Sequence, residues 1–153
     1  MSLDDWNAVL TTNFTGAFLC LREAVKVMAR RRGGVIVNIS SVHEFIPWPG
    51  FADYCASKGG MKLLMETAAR ERAGRNVRVV NVAPGAIVTP INNVRARRPG
   101  SEARGRGGDP AWPDREAGRD RRRRRLGGER TGSYVTGTTI VVDGGMSLYP
   151  KFV

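Results

Sequence analysis

At 153 residues, 41% of them hydrophobic, the chain has material for one domain with a core of useful size and not for two. Its formal net charge of +11 is concentrated: residues 93–132 hold 13 Arg against 6 Asp or Glu, no Lys, and Trp112 as their one aromatic. That composition argues against a basic surface built for nucleic-acid phosphates, which mixes Lys with Arg and interleaves aromatics, and apolar runs no longer than GVIVNIS argue against a bilayer span of about 20 residues.

The opening MSLDDWNAVL lacks the basic-then-apolar layout of a secretion signal, so a soluble cytoplasmic protein is expected. From Ser2 the pattern is that of one long amphipathic helix, with Ser2 as N-cap and Asp5 three residues on. Trp6, Leu10, Phe14, Ala17, Leu21, Val25 and Met28 recur near helical spacing, and RRRGG ends the helix, with Gly33 as the stop. VIVNIS at 35–40 is β-branched and continuously apolar, which suits a strand covered on both faces of a parallel sheet. SVHEFIPWPG is a loop, because two prolines and a glycine do not fit a central strand.

Helical period returns in FADYCASKGGMKLLMETAARERA, and VRVVNV at 77–82 is a second covered strand closed by APG. TTIVVDGG at 138–145 is a third, with DGG at 143–145 as its strand-ending turn. Helix, strand, loop, helix, strand is the alternation of an open parallel α/β sheet. Cys20 and Cys55 fall in helical segments without metal-ligand or disulfide spacing and are expected to be reduced, partly covered thiols. Residues 95–131 contain one aliphatic side chain larger than alanine, Leu126, and are expected to be disordered as written.

Ser41, Tyr54 and Lys58 carry the chemistry. Tyr54 and Lys58 are four apart and share a helix face, where an ammonium beside a phenol favours phenolate and brings the tyrosine toward acid/base work. Ser41 follows the strand before that helix, so its hydroxyl belongs to the carboxyl edge of the sheet, where ligands bind in such folds. A hydroxyl that polarises a substrate oxygen and a tyrosine that exchanges its proton suit hydride transfer. The same residues have plainer readings: Asn13 as a helix-interior amide bonding locally, Pro84 and Gly85 as an ordinary strand exit, His43 as loop polarity. No metal site is expected, since His43 is the one histidine.

NISS on a strand, a Tyr thirteen residues after its second Ser, YCASKGG, VRVVNVAPGAIVTP and a final YVTGTTIVVDGG together resemble the short-chain dehydrogenase/reductase family. The resemblance covers residues 1–92 and 133–150. Within the family, MSLDDWNAVLTTNFTGAF, SSVHEFIPWP and DGGMSLYPKF are most similar to glucose 1-dehydrogenases. It implies the C-terminal part of a Rossmann-like, doubly wound parallel sheet without the nucleotide-binding N-terminal half, and an NAD- or NADP-dependent oxidoreductase acting on a sugar or secondary alcohol. It also implies that Ser41 orients the substrate hydroxyl, Tyr54 is the acid/base, and Lys58 binds the nicotinamide ribose. Asn13 would support a proton-relay water. Pro84, Gly85, Ile87 and Thr89 would pack on the nicotinamide and bond its carboxamide, and His43 would lie on the substrate side. Family members are commonly homotetramers.

Two departures stand out. The family pattern begins about 100 residues ahead of Met1 on a one-domain size expectation, and no T-G-x-x-x-G-x-G phosphate loop follows a strand anywhere in the chain. Turnover by these 153 residues alone is therefore not expected. The second departure is the Arg-rich stretch, read here as a shifted frame. With GC-rich codons, DPAWPDREAGRDRRRRRLGGE read one nucleotide later permits IPPGRIGKPEEIAAAAAWVAS, and RRPGSEARGRG permits GDPEARREVEA. These are amphipathic strings of the kind the family uses for a substrate lid and its following helix. The expected organisation is residues 1–92 and 133–153 as parts of one incomplete domain, with 93–132 an insert of altered sequence. The alternatives are a remnant without function of its own and an RNA- or DNA-binding arm at residues 119–125.

Overall fold

The computed structural model describes residues 1–31, 33–86 and 132–148. Three parallel strands form its sheet, β1 (Gly34–Ile39), β2 (Val77–Pro84) and β3 (Thr138–Val142), in the spatial order β1-β2-β3. The helices are α1 (Leu3–Leu10), α2 (Gly16–Arg30) and α3 (Ala52–Arg72). The parallel α/β architecture expected from the alternation is present.

Local chemistry sets most boundaries. Ser2 Oγ accepts from Asp5 N–H at 3.1 Å while the Asp5 carboxylate accepts from Ser2 N–H at 3.2 Å, a reciprocal cap that starts α1. Gly33 at φ +108° turns the chain from α2 into β1, and a Cβ there would stand 2.2 Å from the Asn76 carbonyl oxygen. Asn76, itself at φ 57°, launches β2, so the turns that start both strands lie against each other, and Gly34 N–H donates to Asn76 O at 3.1 Å.

The third strand stops at Val142, where the expected DGG turn begins: Asp143 folds the chain through residues 144–148. Sequence and structure differ in three places. The first helix is not continuous: Thr11–Thr15 form a π-helical stretch between α1 and α2. β1 is half-buried along its length, whereas β2 is buried at Val77, Val79, Val80, Val82 and Ala83; among the described residues β2 has a neighbour on each side and β1 on one only. Cys20 is exposed rather than partly covered, and Cys55 is half-buried.

The core lies between α2, α3 and β2. Leu21 from α2, Met61, Met65, Ala68 and Ala69 from α3, and Val77 and Val79 from β2 form one cluster, with Phe14 and Ile36 packed on it. Full burial of each valine side chain contributes about 1.5–3 kcal/mol. Gly60 sits where a Cβ would be 3.3 Å from the Phe14 ring, so glycine lets α3 approach the π-helical stretch closely.

Candidate active site

The parallel pairing brings three strand exits to one edge of the sheet: Ser40 and Ser41 after β1, Pro84 at the end of β2 with Gly85 after it, and Asp143 after β3. Ser41 is 7% exposed, and its Oγ accepts from His43 N–H at 3.3 Å, capping a short 3-10 turn at Val42–Glu44. From there the chain crosses through Trp48 to α3, whose first turns return to the same edge.

Tyr54 and Lys58 occupy those turns, and the Lys58 Nζ stands 5.6 Å from the centre of the Tyr54 ring. The same ammonium donates to the Ile39 carbonyl at 3.2 Å, joining α3 to the end of β1 two residues before Ser41. Burial pushes the Lys58 ammonium below the usual lysine range, with the Glu44 carboxylate acting in the opposite direction.

Asn13 reaches this group from the π-helical stretch. Its Nδ2 donates to Ser57 Oγ at 3.1 Å, and the fully buried Ser57 hydroxyl donates to the Tyr54 carbonyl at 2.7 Å. A single widened turn inside a helix is a device often found at functional sites. Here it holds an amide against the residue that braces the first turn of α3.

His43 stacks on Trp48 with centroids 4.5 Å apart and planes 15° apart, and Trp48 stacks in turn on Phe51 at 4.0 Å. Both His43 and Trp48 meet the Tyr54 ring edge to face, at 6.1 and 6.2 Å. Burial lowers the His43 imidazole below its usual range, while the Ile46 carbonyl 3.2 Å from Nδ1 pulls the other way. The neutral ring with Nδ1–H toward Ile46 leaves Nε2 as an acceptor.

Pro84 ends β2, and Gly85 N–H donates to Val142 O at 3.1 Å. A Cβ on Gly85 would stand 2.8 Å from the Asp143 Cα, so backbone approaches backbone at this exit. Asp143 is itself fixed: its carboxylate accepts from Gly145 N–H at 2.8 Å, Ser147 N–H at 2.7 Å and Ser147 Oγ at 2.5 Å. Burial raises this carboxyl, but the Ser147 hydroxyl and the two amides outweigh it and hold the group below the usual carboxylate range. Ile87, Thr89 and the frame-shift reading of residues 93–131 lie outside the described residues.

Four residues not singled out by sequence reasoning belong to this neighbourhood: Glu44, Trp48, Phe51 and Thr139. Trp48 and Phe51 had a visible signal, two bulky aromatics in a loop that otherwise turns on proline and glycine. Glu44 had only a weak one, a lone acid in SVHEFIPW, since its partner Thr139 is 95 residues away.

The family model for short chain dehydrogenase matches residues 1–99. The chain is 44% identical over 166 residues to 3beta-hydroxysteroid dehydrogenase 1 of Eggerthella lenta, covering 99% of this chain and 58% of that protein. It is 38% identical over 155 residues to glucose 1-dehydrogenase 2 of Bacillus subtilis, again 99% of this chain and 58% of the relative. Among solved structures, acetoin dehydrogenase from Enterobacter cloacae superposes with a TM-score of 0.84 at 35% identity, covering 100% of this chain and 60% of that one. The chain thus spans a little under three fifths of the curated relatives' length.

Proposed function

The chain belongs to the short-chain dehydrogenase/reductase family, and from that premise we propose that it carries the proton-transfer centre of an NAD- or NADP-dependent oxidoreductase for a sugar or secondary alcohol. The observation that carries the reading is the Lys58 ammonium, bound to the carbonyl that ends β1 and facing the Tyr54 ring at 5.6 Å. In the oxidation direction Tyr54 takes the proton of the substrate hydroxyl, and in reduction it returns it. Lys58 favours negative charge on the phenol oxygen as that proton moves. Ser41 donates to the substrate oxygen, and Asn13, braced on Ser57, supports the relay of the proton to solvent. His43 offers Nε2 to a further substrate hydroxyl.

The residues present fit the nicotinamide end of a dinucleotide. Lys58 has three N–H donors, and among the described residues one is used, on Ile39 O, which leaves two for ribose hydroxyls. Pro84 and Gly85, with Ile87 and Thr89 beyond them, would flank the ring. When bound, the dinucleotide supplies the hydride acceptor or donor. The relatives' names include a hydroxysteroid, glucose and acetoin dehydrogenase, and the stretch SSVHEFIPWP favours the sugar or polyol side of that range. We propose residues 1–92 and 133–153 as one domain, a reading supported by the pairing of β3 with β2, and a homo-oligomer in the cytoplasm as its setting.

The test carries residues 1–86 into the corresponding stretch of the complete Bacillus subtilis glucose 1-dehydrogenase 2. The chimera is expected to reduce a dinucleotide with glucose, and Tyr54→Phe to cut kcat by about 10²–10⁴. A folded, active chimera that is indifferent to Tyr54→Phe would end the proposal. The 153 residues alone are expected to show no turnover.

A further inference from the structure

The chain between β1 and α3 gathers its rings into one stack around Trp48. His43 stacks on the indole with centroids 4.5 Å and planes 15° apart, and Phe51 stacks on it at 4.0 Å and 25°. Two rings that close to one indole collide if they share a face, so Trp48 is clamped between them. The backbone is tied as well: Phe51 N–H donates to Trp48 O at 3.0 Å, and Pro47 and Pro49 on either side of Trp48 restrict the chain. His43 and Trp48 both meet the Tyr54 ring edge to face, at 6.1 and 6.2 Å, so the stack stands directly beside the phenol read as the acid/base.

An imidazole has two ways of holding its proton when neutral, and this loop selects one. Nδ1 lies 3.2 Å from the Ile46 carbonyl oxygen. A carbonyl only accepts, so Nδ1 carries the hydrogen and Nε2 is the bare nitrogen. The His43 backbone is fixed by its N–H, which donates to Ser41 Oγ at 3.3 Å. Those bonds hold the backbone and one edge of the ring, and a ring held at one edge still swings about it. Stacking on Trp48 fixes the ring plane and removes that freedom. An unrestrained imidazole prefers its proton on Nε2, so without the stack the ring drifts toward the opposite tautomer.

We propose that Trp48 is a positioning residue for His43: backed by Phe51, it holds the imidazole plane so that Nδ1 stays on Ile46 O and Nε2 stays an acceptor for a substrate hydroxyl beside Tyr54. The proposal rests on the reading of His43 as a substrate contact. It makes the substrate class one with a second hydroxyl near the reacting one, because a fixed acceptor covered by an apolar substrate is left unsatisfied at a cost.

The test uses the 153-residue chain with 15N-labelled histidine, in which His43 is the one histidine and gives its two ring-nitrogen signals without overlap. At about pH 9, well above the imidazole range, wild type is expected to show Nδ1 protonated and Nε2 bare. Trp48→Leu is expected to bring the two signals toward each other as the tautomers mix, Phe51→Leu to do so by less, and Trp48→Phe to keep the wild-type pair. Wild-type signals in folded Trp48→Leu overturn the proposal; if that variant does not fold, wild-type signals in Phe51→Leu overturn it. In the chimeric enzyme, Trp48→Leu is expected to raise KM for glucose about two- to tenfold with less change in kcat, and to add nothing to His43→Ala. Loop packing alone would give the same increment with and without His43, and where His43→Ala by itself raises KM that outcome overturns the proposal. A silent His43→Ala overturns the substrate reading instead, and the ring-nitrogen signals alone then decide the positioning.

Discussion

Single residues at the sheet edge are held by short-range bonds whose signs can be worked out. Asp143 takes three hydrogen bonds from Gly145 and Ser147, and these keep its carboxyl below the usual range despite burial. The unfolded-state value is about 3.9. A depressed native value means that the stabilisation is fully present above that figure and is lost as pH falls through the native one. Wild type is therefore expected to lose more stability than Asp143→Asn when urea unfolding is compared at about pH 6 and about pH 3. Equal losses would show that these bonds do not stabilise the ionised form. At this scale the meeting of Ser41, Tyr54 and Lys58 at one sheet edge was legible, because it follows from their spacing and from the alternation of strand and helix. The placement of Glu44 was not, because its partner Thr139 lies 95 residues away across the sheet.

At the scale of elements, capping rules and hydrophobic period were dependable and continuity was not. Ser2 with Asp5 announced the start of α1, and both halves of the reciprocal cap are formed. Ser2→Ala is expected to cost about 1 kcal/mol in chemical denaturation, and a loss below a few tenths would show that Asp5 suffices alone. The π-helical stretch had no such marker. TTNFTG contains no proline, and the apolar spacing through Leu10, Phe14 and Ala17 runs on as though the helix were regular. The widened turn is fixed from outside, by the Asn13 bond to Ser57 and by the room Gly60 leaves for Phe14. The end of β3, by contrast, was marked by DGG, and the Asp143 turn forms there.

The whole molecule leaves apolar side chains on its helical layer uncovered. Phe18 and Leu19 are each 43% exposed, Val27 51% and Leu63 63%. Apolar surface favours self-association where it is contiguous. The chain is expected to sediment as more than a monomer, and Leu19→Glu with Leu63→Lys to shift it toward the monomer; a monomeric wild type would overturn this. No helix among the described residues is long and apolar enough to cross a membrane. What the order of residues determined by itself was the alternation of helix and strand, the parallel sheet and the tyrosine–lysine spacing, because these follow from backbone propensities and periodicities within a few residues. What only the tertiary structure decided was the register that aligns Asn38, Asn81 and Thr139, the delivery of Asn13 to Ser57 and the bond from Thr139 to Glu44. Those contacts join residues 43 to 95 positions apart, and no local preference can select a partner at that distance; the packing of α3 on the sheet does.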